Sequence, residues 1–404
     1  MFLTVLASLY IAVTLVYAIK MGDTLRYPDE AEYLGLAKNL VATGHYTQDG
    51  STPTAYRPPG YPLLLAAGLK LGLSVTALRV ANASTLLAVM ALLYMLLRKS
   101  SVLHARIAVL LAMAYPVLLY TAGTFYPQIP AAALFLTALV LLFSGDSPGL
   151  RRCFFAGLFL GLTLLLVPTF GFALLFTAAF IALHTFQRKT LSKAVLILCG
   201  AGLIMAPWVA RNALVFGRFI PISTNNGINL LLGNSENTTP NSGTTADISR
   251  YEQAARLLSE VDANDYYTQS AMTFIREHPA QTLKLYAEKV LNYFNYQNRL
   301  LMQAEQSRSR MLLMLISYGL LLGLALLRLA LTHQHPLSLL EKYCVWLYLL
   351  NAPVAAIFFT RIRFRLPMDI LLTVLAASAV VIIYRYFESR ARNTSQTNLG
   401  IPTR

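Results

Sequence analysis

The chain has 404 residues, of which 56% are hydrophobic and 13% are charged. Soluble domains carry about a quarter charged residues, so this composition excludes an ordinary soluble protein and indicates a polytopic membrane protein. The net charge of +15 argues little for nucleic-acid binding, because most Lys and Arg residues flank apolar runs. The three cysteines lie in apolar runs and give neither a disulfide framework nor metal-ligand spacing.

Apolar runs long enough to cross a membrane predict about ten transmembrane helices, an all-α fold class, and a single transmembrane domain over 1–404. The runs are 2–19, 79–97, 106–122, 127–144, 153–168, 170–186, 194–210, 311–331, 343–360 and 366–387. A retained first helix is favoured over a cleaved signal peptide, because no basic segment precedes it. The run from Tyr61 to Leu73 is different: it covers roughly 20 Å and cannot cross a core of about 30 Å, so it is expected to lie along the interface or re-enter.

The basic residues between these runs predict the orientation of the chain. With the N-terminus in the cytoplasm every inner connection is basic, and the short outer connections TAGTFYPQ and VPT have no Lys or Arg. Lys20 and Arg26 follow the first helix on the outer side and oppose this choice, but five concordant connections outweigh them. The orientation places two long segments outside, 20–78 and 212–309, and a tail, 388–404, inside.

The first outer segment contains three carboxylates, Asp29, Glu30 and Glu32, in YPDEAEYLGLAKNL. Ionisable groups at the edge of a bilayer are costly and usually mark function. Asp29 and Glu32 also have the spacing of a helix capping box, with Asp29 as N-cap. In the functional interpretation, Asp29 and the adjacent Glu30 deprotonate a hydroxyl that attacks an activated sugar. A further alternative is that they hold a divalent cation, Mg²⁺ or Mn²⁺, on a phosphate.

Arginines gather on the same side of the membrane, where the positive-inside rule disfavours them. Arg361, Arg363 and Arg365 lie in the short connection FFTRIRFRLPMD. Guanidinium groups make bidentate, charge-assisted bonds to phosphate, so the cluster is interpreted as a site for a lipid phosphate, with snorkelling to headgroups as the alternative. Arg211 and Arg57 are further candidates.

The second outer segment opens with NNGINLLLGNSENTTPNSGTTAD, which predicts a loop, and the part from Asn225 to Asn234 is expected to roof the site. From Tyr251 onward the pattern predicts two or three amphipathic helices on the outer leaflet, interrupted at Pro279. Substrate-lining side chains are expected from both outer segments: Tyr33, Tyr56, Tyr61, Asn225, Asn226 and Asn229.

Four stretches in order resemble the bacterial family 39 branch of the GT-C membrane glycosyltransferases, which includes protein O-mannosyltransferase-like enzymes, the lipid A aminoarabinose transferase and Rgt-type transferases. They are PDEAEYLGLAKNLVATGHY with YRPPGYPLLLAAGLKLG, PWVARNALVFGRFIPISTNNGINLLLGN, IREHPAQTLKLYAEKVLNYF and RIRFRLPMDILL. The resemblance implies a GT-C fold, a polyprenyl-phosphate sugar as donor, Asp29 as the catalytic acidic residue, and Arg363 or Arg365 at the lipid phosphate. Gln128 and Asp369 depart from the pattern.

These observations predict an inverting glycosyltransferase of the bacterial inner membrane that works on the periplasmic face. It would move a sugar from polyprenyl phosphate to a hydroxyl of a lipid-linked glycan, lipopolysaccharide or protein, with membrane lipid as a further partner. One alternative is a lipid-linked glycan flippase or transporter, which the near absence of ionisable residues in the spans disfavours. The other is a glycan polymerase or ligase that uses a diphosphate-linked donor.

Overall fold

A computed structural model of the protein describes residues 2–145, 147–183, 188–297 and 308–398. Within these ranges the chain is all-α, as predicted, and its β pairing is limited to one isolated bridge between Thr47 and Pro53. Three parts of predicted segments lie outside the described residues: 184–186 of the span 170–186, 298–307 of the outer segment 212–309, and 399–404 of the tail.

Seventeen α-helices occur in the described residues. Those before the second outer segment are α1 (Phe2–Met21), α2 (Pro28–Thr43), α3 (Gly60–Lys70), α4 (Val75–Leu97), α5 (Val102–Met113), α6 (Pro116–Ala122), α7 (Gln128–Phe143), α8 (Leu150–Leu166), α9 (Phe170–Leu183) and α10 (Arg188–Phe216). The others are α11 (Asn226–Gly233), α12 (Ser249–Ala255), α13 (Glu260–Glu277), α14 (Pro279–Tyr293), α15 (Arg308–Ala330), α16 (Leu339–Ile357) and α17 (Ile362–Asn398). Two short 3₁₀ turns, Gly243–Thr245 and Leu331–His333, complete the secondary structure of this part of the chain.

The ten runs predicted as spans all fall on helices, and the protein is multi-pass. By length and composition, α4, α10, α15 and α17 are able to cross a membrane, and α5 with α6 makes a fifth span if that pair, bent by 65°, is counted as one. Proline at the first position of α6 produces this break, since it cannot continue the helix that precedes it. The part of α1 from Val5 to Met21, α7 and α9 are apolar but shorter, so the described residues contain fewer full-length spans than the ten predicted.

Glycines allow two of the long helices to pack backbone against backbone. A Cβ atom on Gly157 of α8 would lie 2.1 Å from the carbonyl oxygen of Ile197, and one on Gly200 of α10 would lie 2.4 Å from that of Phe154. Small residues at such positions let membrane helices approach closely. α17 is the central helix, since most of its apolar length is buried against neighbours that include α5, α15 and α16.

The first outer segment forms α2 and α3. α3 has 11 residues and a length of about 16 Å, which is too short to span a membrane. Both helices pack around Tyr61 and Leu65, together with Phe125 from the connection between α6 and α7. The N-terminal end of α2 lies beside the N-terminal end of α4 and the connection that follows α6.

The second outer segment contains α11 to α14, and the break between α13 and α14 occurs at His278, next to Pro279. α11 corrects the sequence prediction, because it lies in the Asn-rich stretch that was predicted to be a loop. Its apolar residues explain the difference: Leu231 and Leu232 pack against Phe359 in a small core of their own. Gly227 also lets α11 approach the backbone of α13.

Candidate functional site

The acidic motif begins α2 in a different register from the one predicted. Pro28 occupies the first helical position, for which its fixed φ is suited, so the N-cap is Tyr27 and not Asp29. The residue at N3 is Glu30, whose Oε1 accepts the backbone N–H groups of Arg26 at 2.9 Å and Tyr27 at 3.3 Å. The capping role predicted for Asp29 and Glu32 is therefore wrong, and the side chain of Asp29 is available for other contacts.

Two arginines that are distant in the sequence converge on Asp29. Nη2 of Arg57 donates to Oδ1 of Asp29 at 2.6 Å, and Nη1 of Arg363 donates to Oδ2 in a close ion pair. Arg363 is 334 residues from Asp29, so the start of α17 meets the start of α2 here. Nε of Arg57 also donates to Oε2 of Glu32 at 2.6 Å. Asp29, Glu32, Arg57 and Arg363 are called the Asp29 cluster below.

The cluster is partly shielded from solvent and still open to it. The side chains of Asp29, Arg57 and Arg363 are 19%, 15% and 24% exposed, so each is partly accessible to solvent. Burial alone would raise the pKa of the Asp29 carboxyl, but the adjacent guanidinium groups of Arg363 and Arg57 outweigh burial and hold that pKa below its ordinary value. The carboxylate is thus ionised in this state.

Aromatic rings line the two guanidinium groups. Arg57 lies over the rings of Tyr33 and Tyr56, with its guanidinium carbon 5.4 Å from each ring centroid. Arg363 lies over Tyr126 at 5.1 Å, and Tyr126 stacks on Tyr27 with ring centroids 5.5 Å apart. Such cation–π contacts restrain the arginines. Tyr126 was missed by the sequence analysis, because its approach to α17 is a long-range contact.

Glu30 does not join the Asp29 cluster. It is fully buried, and its Oε2 accepts from the backbone N–H of Phe125 at 2.8 Å and from Nη1 of Arg79 at 3.2 Å. Arg79 is also fully buried and donates to the carbonyl oxygens of Gly22, Thr24 and Gly123. The pair joins the start of α2 to the ends of α1, α4 and α6, so Glu30 supports the fold and is not available to react with a substrate.

The residues do not fit the divalent cation that was considered for Asp29 and Glu30. Both oxygens of Asp29 face guanidinium groups, and both oxygens of Glu30 accept hydrogen bonds inside the protein. Across the described parts of the chain, no group of three His, Cys, Asp or Glu side chains is placed to hold a metal ion. A cation at Asp29 would have to lie against two arginines, which is electrostatically unfavourable.

Of the three arginines in RIRFR, the structure brings only Arg363 to Asp29. Arg361 precedes α17 and its Nη2 donates to the carbonyl oxygen of Ser242 at 2.9 Å and to Oγ1 of Thr244 at 3.1 Å. The expected convergence of all three fails because α17 begins at Ile362, where the sequence analysis placed a connection. Side chains two positions apart in a helix point about 200° apart.

Arg365 is buried in the interior of the helix bundle. Its Nε lies 2.8 Å from Oδ1 of Asp369, and its Nη1 donates to the backbone carbonyls of Tyr293 and Asn295 at the end of α14. Asp369 also accepts hydrogen bonds from the hydroxyls of Tyr115 and Tyr348. The unusual aspartate of the PMDI sequence is therefore the partner of Arg365, and this pair fastens α17 to its neighbours.

Arg211, near the C-terminal end of α10, contacts the segment between α2 and α3 and not the Asp29 cluster. Its Nη1 donates to the carbonyl oxygen of Thr54 at 2.8 Å and to Oδ1 of Asn212 at 2.9 Å. Its guanidinium carbon lies 4.9 Å from the ring centroid of Trp208. The predicted phosphate-binding set is thus divided, with Arg57 and Arg363 at Asp29 and the other three arginines engaged elsewhere.

The predicted lining residues are also divided. Tyr33 and Tyr56 lie beside Arg57, whereas Tyr61 is buried and its hydroxyl donates to Oδ1 of Asn82 at 3.0 Å. The three asparagines lie at the start of α11, where Oδ1 of Asn225 accepts from Ser223, the N–H of Asn229 bonds to the carbonyl of Asn225, and Asn226 is exposed. In the described residues, none of these asparagines is hydrogen-bonded to Asp29, Arg57 or Arg363.

No protein-family model matches the sequence, and no curated protein matches it. Among solved structures, the chain is similar to ArnT from Cupriavidus metallidurans bound to undecaprenyl phosphate and to the same protein in the apo state. Both have 15% sequence identity and a TM-score of 0.46, with 93% of this chain covered and 78% and 77% of ArnT.

A third similar structure is the archaeal oligosaccharyltransferase AglB from Archaeoglobus fulgidus in complex with an inhibitory peptide and a dolichol-phosphate. It has 12% identity and a TM-score of 0.46, with 98% of this chain covered. The chain spans about half of AglB, since 52% of AglB is covered. At these identities and scores the similarities support no conclusion about function, which is therefore proposed from this chain's own side chains.

Proposed function

We propose that the protein is a glycosyltransferase that moves a sugar from a polyprenyl-phosphate donor to a hydroxyl group of an acceptor. The observation that carries this proposal is the Asp29 cluster, in which one carboxylate lies between two guanidinium groups, one on each of its oxygens. The cluster contains a carboxylate that can accept a proton and two guanidinium groups that can bind a phosphate, and each guanidinium group is hydrogen-bonded directly to the carboxylate. Transfer of a sugar from a phosphate needs these two functions.

In the proposed reaction the donor's phosphate binds Arg57 and Arg363, which make charge-assisted bonds to phosphate as readily as to a carboxylate. An acceptor hydroxyl then attacks the anomeric carbon, and its proton passes to Asp29. The bond between the anomeric carbon and the phosphate oxygen breaks with its electron pair left on that oxygen, so the released polyprenyl phosphate carries one more negative charge than the donor, and the two arginines stabilise it. A single displacement of this kind inverts the anomeric configuration.

The surroundings of Asp29 suit a base that acts only when donor is present. In the free protein the arginines keep the pKa of Asp29 low, while burial acts to raise it. When a phosphate takes over the two guanidinium groups, the effect of burial remains and the negative phosphate adds to it. The loss of the guanidinium contacts and the approach of the negative phosphate both raise the pKa of Asp29, and a general base needs this higher affinity for a proton.

We place the Asp29 cluster on the outer face of a bacterial inner membrane. The basic inner connections support this orientation, and the cluster is built from the first outer segment and the outer end of α17. The acceptor is proposed to be a glycan, lipid or protein on that face. Its identity and that of the sugar are left open by the residues described here.

The test is sugar transfer by purified protein in detergent, with synthetic sugar donors on a polyprenyl monophosphate and on a diphosphate. Asp29→Asn is expected to lower the turnover from the monophosphate donor by about 10²- to 10⁴-fold, the usual contribution of a general base. Asp23→Asn is the matched control, because Asp23 is exposed and lies in the same outer segment. In the described residues, its side chain accepts one hydrogen bond, from the hydroxyl of Thr76.

Three results would overturn the proposal. Full activity of Asp29→Asn would exclude the base. Turnover of the diphosphate donor alone would favour a polymerase or ligase. Movement of a lipid-linked sugar across vesicles without transfer would favour a flippase.

A further inference from the structure

A carboxylate outside the Asp29 cluster holds the segment that carries Arg57. Glu260 is the first residue of α13, and its Oε1 accepts from the backbone N–H of Ala55 at 2.8 Å and from the hydroxyl of Thr224. Its Oε2 accepts from the hydroxyl of Thr54. One carboxylate thus joins three separate parts of the two outer segments.

The same two residues of the first outer segment are held from further directions. The N–H of Thr224 donates to the carbonyl oxygen of Ala55 at 3.0 Å, and Arg211 donates to that of Thr54 at 2.8 Å. The hydroxyl of Thr54 in turn accepts the N–H of Tyr56 at 3.0 Å. Arg57 is the next residue, and its carbonyl oxygen accepts from the hydroxyl of Tyr46 at 3.0 Å, so the bonds of Glu260 fix the segment on one side of Arg57.

The next helix, α14, holds the segment that precedes Arg363. Lys289 is buried, with 1% exposure, and its Nζ donates to the carbonyl oxygens of Phe358 at 2.8 Å and Gly233 at 2.9 Å. Asn292, one turn later, donates to Oγ1 of Thr360 at 2.8 Å. These bonds fix the turn from which α17 and Arg363 begin.

We propose that Glu260 and Lys289 are positioning residues that set the separation between Arg57 and Arg363, and so the affinity of the site for a lipid phosphate. α13 and α14 are consecutive helices, so the stretch from Glu260 to Tyr293 contacts both arginine-bearing segments. Two guanidinium groups bind one phosphate well only at the correct spacing. A misplacement of about 1 Å in such a site can lower the rate of the reaction by up to about 10²-fold. This inference rests on the proposed function and names the part of the chain that tunes it.

Two substitutions of Glu260 separate positioning from a role of its charge. In Glu260→Gln the amide oxygen still accepts from Ala55 and Thr224, and the amide nitrogen donates to the hydroxyl of Thr54, which can accept as well as donate. In Glu260→Ala all three bonds are lost. Asp262→Ala is the control, because Asp262 lies in the same helical turn, is exposed, and pairs with Ser259 and the exposed Arg218.

The experiment measures polyprenyl-phosphate binding by the purified full-length variants, with the Michaelis constants of donor and acceptor in the transfer assay. Glu260→Ala is expected to weaken binding of polyprenyl phosphate by roughly 10- to 100-fold and to raise the donor constant, with the acceptor constant unchanged. Glu260→Gln and Asp262→Ala are expected to bind like the wild type. Lys289→Met, which removes the bonds to the turn before α17, is expected to weaken binding as Glu260→Ala does.

Hydrogen exchange gives a second readout that does not depend on activity. The Ala55 amide should lose protection in Glu260→Ala and keep it in Glu260→Gln. The inference is overturned if folded Glu260→Ala binds polyprenyl phosphate as the wild type does, or if Glu260→Gln loses as much affinity as Glu260→Ala. Failure of the wild type to bind or to transfer overturns the proposed function instead, and Ala55 exchange still decides whether Glu260 fixes the segment.

Discussion

Replacement of Arg363 by glutamine tests whether the three arginines of RIRFR have different roles. Arg363→Gln removes one of the two guanidinium groups that converge on Asp29, whereas Arg361→Gln removes a group bonded to the loop around Ser242. The two residues are separated by one position in the sequence, so they form a matched pair. They are expected to fail in different assays.

The magnitudes follow from the contacts. A hydrogen bond to a charged group contributes about 1.5–3 kcal/mol, and each 1.4 kcal/mol is tenfold, so Arg363→Gln is expected to weaken polyprenyl-phosphate binding by roughly 10- to 150-fold. Asp29 keeps its ion pair with Arg57 when Arg363 is replaced, so the carboxylate is not left unpaired and loss of the second pair should lower the free energy of unfolding by only about 1 kcal/mol. Arg361→Gln removes the charged hydrogen bonds to the carbonyl oxygen of Ser242 and to the hydroxyl of Thr244, which should cost about 1.5–3 kcal/mol of stability.

The assays are binding of polyprenyl phosphate by each purified variant and thermal unfolding in the same detergent. Arg363→Gln should lose affinity at nearly unchanged Tm, and Arg361→Gln should lose Tm while its folded fraction binds normally. Equal losses of affinity in both variants would refute the assignment of Arg363 alone to the phosphate.

Three further predictions concern stability and are checked by unfolding of purified variants. Arg79→Met leaves the buried carboxylate of Glu30 unpaired and should cost about 3–5 kcal/mol, while adding Glu30→Gln should recover part of it; an equal or larger loss in the double variant would contradict the pairing. Gly157→Ala forces α8 away from the backbone of α10 and should cost about 1–3 kcal/mol, whereas Gly202→Ala, with open space around it, should cost nothing; equal Tm values would contradict the close packing. Burial lowers the pKa of Lys289 to about 8, so between about pH 8 and pH 10 the unfolded chain binds this proton more tightly than the folded chain does. The free energy of unfolding of the wild type should therefore rise with pH over this range. Lys289→Met should show a smaller rise, and a rise equal to that of the wild type would contradict the burial effect.

The sequence predicted the all-α class, and it predicted that the acidic motif lies on the same side of the membrane as the arginines of RIRFR. Those features depend on composition, hydropathy and charge, which are local properties. It also singled out Asp29, Arg57 and Arg363, and the structure brings these three residues together.

The register of the motifs was harder to predict. Pro28 was available as a signal for the first position of α2 and would have placed the N-cap at Tyr27. In RIRFR, extending α17 to Ile362 would have separated the arginines, because alternate residues share a face in a strand and not in a helix.

Other features depend on contacts between distant segments. Glu260 is one of several acids in α13, and nothing in its neighbourhood distinguishes it until α13 is placed against Thr54 and Ala55. Arg79 is likewise an isolated charge at the start of an apolar helix, and Glu30 becomes its partner only in the folded chain. These pairings need the tertiary arrangement, which hydropathy does not supply.

A cryo-EM structure of the protein with polyprenyl phosphate bound would show directly whether Arg57 and Arg363 hold the phosphate. We expect the phosphate between Arg57 and Arg363, with guanidinium nitrogens about 3 Å from its oxygens and with Asp29 released from at least one of the two arginines. A phosphate bound elsewhere, with both ion pairs of Asp29 intact, would contradict this expectation.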